Sequence, residues 1–169
     1  YPYGGALAHA LGYVSGLNAA DLKEVDPVAY AGTAQIGKVS VERSFEEALH
    51  GAPGQEQVLV NARGRSLQTL ERSAARPGDD IMLALDLDTQ LAAYEGLGSR
   101  RGAVVAIDPK NGEVLAFVST PAFDPNVISA GLSRKAYNAL QEDIDKPLFN
   151  RALRGTYPPG STVKPIVAL

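Results

Sequence analysis

Ser161 and Lys164 stand three residues apart in the stretch "TYPPGSTVKP", residues 156–165 of a 169-residue chain. A serine hydroxyl is a weak nucleophile until a base takes its proton. A lysine amine can be that base when burial or neighbouring cations favour its neutral form. Residues three apart on a helix share a face, so this spacing can bring Oγ and Nζ within hydrogen-bond reach. The chemistry within reach of such a pair is nucleophilic attack by the activated hydroxyl. Pro158, Pro159 and Gly160 force irregular backbone up to Ser161, which places the serine at or near a helix N-terminus. Free backbone N–H groups and the helix dipole favour developing negative charge there. The Ser161 N–H is thus a candidate oxyanion donor, and Gly160 lets a substrate backbone come close. Pro165 has no N–H to offer the Ser161 carbonyl four residues back, so the first turn should keep a free acceptor.

Of the ten serines in the chain, only Ser161 has lysine three residues on. The pair still fixes just two positions, and a chance match is expected about once in a chain or two of this size. A merely structural helix start therefore stays open on the pair alone. Its position after a Pro-Pro-Gly break, opening the apolar run 166–169, is what a supported nucleophile needs.

The elements that must position the pair are short and mixed. "NAADLKEV", 18–25, reads as a short helix that Asn18 can cap. "SFEEALHG" reads as a helix with a Ser44/Glu47 capping box and Gly51 as its stop. "EQVLVN" and "SLQTLE" flank a tight turn at 61–64 and predict two paired strands. The turn at 77–80, Pro-Gly-Asp-Asp, is the best boundary, dividing 1–78 from 79–169. Beyond it "IMLALDL" predicts a strand and "DTQLAAYEGL" a helix. "GAVVAID" and "EVLAFVS" predict a hairpin around 109–112, buried on both faces because 104–107 has almost no polar interruption. This hairpin, 103–119, should pack beside the helix carrying Ser161. "PAFDPN" should be irregular, and "SRKAYNALQED" helical from Ser133. The fold class is α+β, with an antiparallel sheet covered by helices.

Composition excludes several classes. A net charge of −3 and a pI of about 5.4 leave no electrostatic footprint for nucleic acid. Arg63, Arg65, Arg72 and Arg76 fit a solvated face. Without cysteine there is no disulfide, thiol catalysis or Cys-based zinc site. No stretch approaches the ~20 apolar residues that span a bilayer. His9 and His50 lack triad-like companions, and His50, before Gly51, fits a cap contact. Glu142, Asp143 and Asp145 fit a solvated helix end, Asp86 and Asp88 fit capping, and Asp108 and Asp124 fit turns. The chain opens on Tyr1 and closes at Leu169 inside what reads as a helix, as expected of an internal piece of something longer.

Beyond the pair, "NRALRGTYPPGSTVKP", 150–165, closely resembles the active-site stretch of class B penicillin-binding proteins. "GAVVAIDPKNGEVLAFVSTPAFDPN" resembles the first hairpin of their transpeptidase domain, and "PGDDIMLALDLDTQ" its entry. "YPYGGALAHALGYV", "IGKVSVERSFEEALHGAPG" and "VNARGR" resemble the non-catalytic pedestal before it. Ser40 departs from the pattern where glycine is expected, which questions the local turn. The family's later motifs, Ser-x-Asn and Lys-Ser/Thr-Gly, are absent; Lys110-Asn111-Gly112 reads better as a turn.

The resemblance implies a partial pedestal at 1–78 and the N-terminal portion of a β-lactamase/transpeptidase-like domain at 79–169. It implies a D,D-transpeptidase of cell-wall elongation, with Ser161 as nucleophile and Lys164 as base, and no cofactor or metal. Peptidoglycan stem peptides would be substrates, and β-lactams covalent inhibitors. A membrane glycosyltransferase and rod-shape scaffold proteins would be partners, and an N-terminal anchor would hold the enzyme at the periplasmic face of the inner membrane. The piece alone is expected to be inactive. Division-type transpeptidases and a non-catalytic interaction module are the rival readings; a β-lactamase fits poorly because of the long stretch before the catalytic part.

Overall fold

Seventeen glycines and eleven prolines keep the elements short. The computed structural model describes residues 1–168. Helix α1 is Ala8–Leu11, and strand β1, Val14–Gly16, follows. Then come α2 at Asp21–Glu24, β2 at Gln35–Gly37, α3 at Ser40–Ser44 and α4 at Glu46–His50. Strands β3, Gln55–Val60, and β4, Ser66–Ser73, precede the longest helix, α5, Leu87–Leu97. The hairpin strands β5, Gly102–Ile107, and β6, Val114–Thr120, lead into α6 at Pro125–Ser129, α7 at Arg134–Glu142 and α8 at Arg151–Arg154. A 3-10 turn at Gly160–Val163 runs into α9, Lys164–Val167. The strands form three antiparallel pairs, β1 with β2, β3 with β4, and β5 with β6.

Local signals account for most of these starts and stops. Asn18 Oδ1 accepts from the N–H groups of Ala20 and Asp21, ahead of α2. Asp86, Asp124, Ser133 and Asn150 each cap a helix through their side-chain oxygen. Asn61 Oδ1 accepts from the N–H groups of Arg63 and Arg65 in the β3–β4 turn, where Gly64 takes φ +73°. Gly51, at φ +72°, ends α4 as expected.

Four expectations are corrected. The Ser44/Glu47 capping box does not form, because Ser44 is the last residue of α3; Phe45 separates the two helices, and its N–H bonds the Val41 carbonyl. Residues 81–87 alternate half-buried and exposed like a strand but find no ladder among the described residues, where Asp86 N–H alone reaches a neighbouring strand, at Leu115 O, 2.9 Å away. The β5–β6 hairpin is not buried on both faces: β5 alternates, leaving Val105 and Ile107 about half exposed (44% and 56%), while 118–120 of β6 are buried. Finally, "PAFDPN" is irregular only to Asp124, since Pro125 opens α6, where its missing N–H costs no helical bond.

Ser40 explains its own oddity. It takes φ +55°, the left-handed region where glycine is favoured, and its hydroxyl donates to His9 O at 2.9 Å. That bond offsets backbone strain on the order of 1 kcal/mol or more.

The core joins the start of the chain to the stretch after β6. Ala8, Tyr13, Phe123 and Ile128 form the buried cluster, flanked by Leu132 and Leu148. The Phe123 ring stands nearly perpendicular to those of His9 and Tyr13, with centroids 5.2 and 5.6 Å away. Gln90 of α5 is fully buried and closes a second junction. Its Nε2 donates to Ala6 O at 2.6 Å and Phe117 O at 3.0 Å, and its Oε1 accepts from Phe117 N–H at 2.7 Å.

His9 is buried, and its Nε2 finds no partner among the described residues. Burial pushes its pKa down to about 4; the Pro147 carbonyl opposes this, the Arg151 charge adds to it and the Pro121 carbonyl opposes it. Below the ordinary histidine value the unfolded chain takes up a proton that the folded one refuses. Stability should therefore be full above pH ~6.5 and fall as pH drops toward 4, by roughly 3 kcal/mol at most. His9→Leu removes the titrating group, so melting temperatures from pH 7 to 4 should fall less steeply than in the wild type. Equal slopes would contradict this role for His9.

Candidate active site

Pro158 and Pro159 deliver the chain to Gly160, which takes φ +55° and starts the 3-10 turn. The backbone thus becomes helical one residue before Ser161, as the sequence predicts. Lys164 opens α9 directly after the turn, and its N–H bonds the Ser161 carbonyl, so the two residues stand one turn apart. Sitting in the first turn, the Ser161 N–H has no preceding helical carbonyl to bond. Both residues are exposed, and no Oγ–Nζ hydrogen bond joins them among the described residues. Thr162 N–H bonds Pro159 O at 3.3 Å and tightens the turn.

Two expectations about this turn are corrected. The Ser161 carbonyl is not left free, because a 3-10 turn bonds i to i+3 and the Lys164 N–H takes it. Pro165 therefore removes a bond the turn does not need. The β5–β6 hairpin packs on α5 and α8 rather than beside α9, which pairs chiefly with its own preceding turn. Ile166 and Val167 remain largely exposed.

His50, Asp143 and Asp145 have structural partners. His50 stacks on Tyr30 with ring centroids 3.9 Å apart, and its Nε2 meets Thr33 Oγ1 at 2.8 Å. Its Nδ1 lies 3.2 Å from Gly51 O at the end of α4. Asp145 pairs with Arg101, and Asp143 Oδ1 accepts from Asp145 N–H, which ties down the acidic run after α7. Among the described residues no group of three or more His, Asp or Glu is placed to hold a metal.

Sequence reasoning passed over Asn150 and Arg151. Asn150 Oδ1 caps α8 by accepting from Leu153 N–H at 3.2 Å, and its Nδ2 donates to His9 O at 3.3 Å. The cap was legible, since asparagine precedes four helix-compatible residues ended by Gly155. No local pattern marks Arg151 as buried.

Known proteins match the chain along its whole length. The penicillin-binding protein dimerisation domain matches residues 1–83, and the penicillin binding protein transpeptidase domain matches residues 102–169. The peptidoglycan D,D-transpeptidase MrdA of Acinetobacter baumannii is 48% identical over the whole chain, which spans 25% of that protein's length. The crystal structure of Pseudomonas aeruginosa PBP2 in complex with WCK 5153 is 46% identical, with a TM-score of 0.83 over 99% of this chain and 33% of its own. The complex between PBP2 and MreC from Helicobacter pylori is 34% identical, with a TM-score of 0.85, covering 99% of this chain and 31% of its own. Among the described residues no helix is long and apolar enough to cross a membrane. On matches that run from one end to the other, this chain belongs to the penicillin-binding protein family and is similar to its PBP2 members.

Proposed function

We propose that this chain is the nucleophile-bearing part of a peptidoglycan D,D-transpeptidase, with Ser161 as nucleophile and Lys164 as base. The observation that supports the reading is an exposed 3-10 turn that holds Ser161 among its first residues and runs directly into Lys164, whose N–H bonds the Ser161 carbonyl. Neutral Lys164 would take the Oγ proton as Oγ attacks the carbonyl of the penultimate D-alanine of a stem peptide. The Ser161 N–H would bind the developing oxyanion. Collapse breaks the C–N bond, and the terminal D-alanine leaves with the proton that Lys164 returns. An amine of a neighbouring stem then attacks the serine ester, forming the cross-link amide and restoring Oγ–H. A β-lactam would acylate Ser161 the same way, except that its leaving amine stays tethered.

Residues 1–78 would be part of the pedestal and 79–169 the first part of the catalytic domain. The MreC complex of the Helicobacter pylori relative supports a rod-shape scaffold protein as partner; family resemblance adds a membrane glycosyltransferase. Work at the periplasmic face of the inner membrane, through an anchor preceding this stretch, completes the reading. The test is D-alanine release and amide formation by the full-length protein with a pentapeptide stem. Product that depends on Ser161 supports the proposal, and its absence from folded protein refutes it.

A further inference from the structure

Arg151 is a charged side chain only 6% exposed, and its guanidinium has no carboxylate partner among the described residues. Its charge is met by backbone alone. One terminal nitrogen donates to Lys146 O at 3.3 Å and Phe149 O at 3.4 Å, and the other donates to Asp145 O. These carbonyls belong to the loop between α7 and α8, where Lys146 takes φ +45°. The guanidinium also lies 5.9 Å from the Phe149 ring centroid. The main chain of Arg151 is fixed as well: its N–H donates to Ser119 Oγ on β6 at 3.0 Å, and that hydroxyl donates to Phe149 O at 3.3 Å. One residue thus ties loop, helix start and central hairpin together.

The chain leaving this anchor has little freedom. Gly155 N–H bonds Arg151 O at 3.0 Å. A Cβ on Gly155 would lie 2.4 Å from Arg151 O and 2.6 Å from Tyr157 Cε2. Glycine is therefore what allows the Tyr157 ring to fold back on the end of α8. Gly155 has φ −69°, so space rather than dihedral preference demands it. Pro158 and Pro159 follow with φ fixed by their rings, and Gly160 then begins the turn that holds Ser161.

From this connection we infer that Arg151 and Gly155 are positioning residues for Ser161, setting the direction from which the nucleophile turn leaves the folded body. The inference rests on Ser161 being the acylated serine. A displacement of the nucleophile by about 1 Å can slow a bond-forming step roughly 100-fold while leaving ligand binding nearly intact. The split between binding and acylation is therefore the signature to look for.

The experiment measures acylation of the full-length protein by fluorescent penicillin over a concentration series, separating the non-covalent dissociation constant from the acylation rate constant. Gly155→Ala and Arg151→Lys are compared with wild type, each after its melting curve shows it folded at the assay temperature. Lysine cannot reproduce the fork that spans three carbonyls. Both variants should lose roughly 10- to 100-fold in the acylation rate constant, with the dissociation constant within about threefold of wild type. If Arg151→Lys does not fold, Gly155→Ala, at a helix end, decides alone. An acylation rate constant within about threefold of wild type overturns the inference, as does a loss that appears wholly in binding. Failure of the underlying reading looks different, because wild-type protein would then not label, or Ser161→Ala would label as wild type does.

Discussion

In the full-length protein, Ser161→Ala is expected to abolish covalent labelling by penicillin while the melting temperature stays within a few degrees of wild type. Ser161 is exposed and its hydroxyl has no partner among the described residues, so its removal takes away the nucleophilic oxygen and little else. Loss of the nucleophile in a serine enzyme costs about a millionfold in rate, far below detection of an adduct. Lys164→Ala should slow acylation roughly 100- to 10,000-fold, the range of a positioned general base. Lys164→Arg separates base from charge: it keeps the cation but cannot give up a proton at accessible pH, so it should fail as badly as alanine. Near-wild-type labelling by the arginine variant would mean that Lys164 acts through its charge.

Gln90→Leu should produce the largest loss of stability of any single change considered. The leucine side chain is of similar size but leaves the Ala6 carbonyl and both backbone groups of Phe117 without their side-chain partner. Orphaned buried polar groups cost about 1–3 kcal/mol each, and some will relax toward water, so roughly 3–5 kcal/mol is expected. Gln90→Glu tests the same point without changing volume. A carboxylate there would face two carbonyl oxygens, so the variant should be least stable at neutral pH and recover as acid protonates it. Melting curves of both variants check this; a loss below about 1 kcal/mol for Gln90→Leu would show that the junction is dispensable.

Sequence patterns revealed what depends on neighbours along the chain. The Asn61 turn, the helix at Ser133 and the break before Ser161 follow from residues close together in the chain, and the structure keeps all three. Residues 81–87 show where this fails. An apolar run predicts an extended chain, but a strand also needs a partner edge, and the described chain gives it one bond to β6. The capping box failed for a related reason: Ser44 was already used by the helix before it. Gln90 and Arg151 were invisible because each looks like an ordinary polar helix residue. Only tertiary contacts 27 to 84 positions away for Gln90, and 32 for the Arg151 N–H, bury them. Ser40 lies between these cases. Its departure from the family pattern put the local turn in doubt, yet the backbone there keeps the left-handed conformation that glycine favours, φ +55°.

The central claim is that Ser161 forms the acyl-enzyme, and peptide mapping of the full-length protein after reaction with benzylpenicillin tests it most directly. Mass spectrometry should find one adduct of the intact drug mass, on the tryptic peptide that begins at Gly155, with fragmentation assigning it to Ser161. An adduct on any other residue, or none on folded protein at saturating drug, would contradict the account.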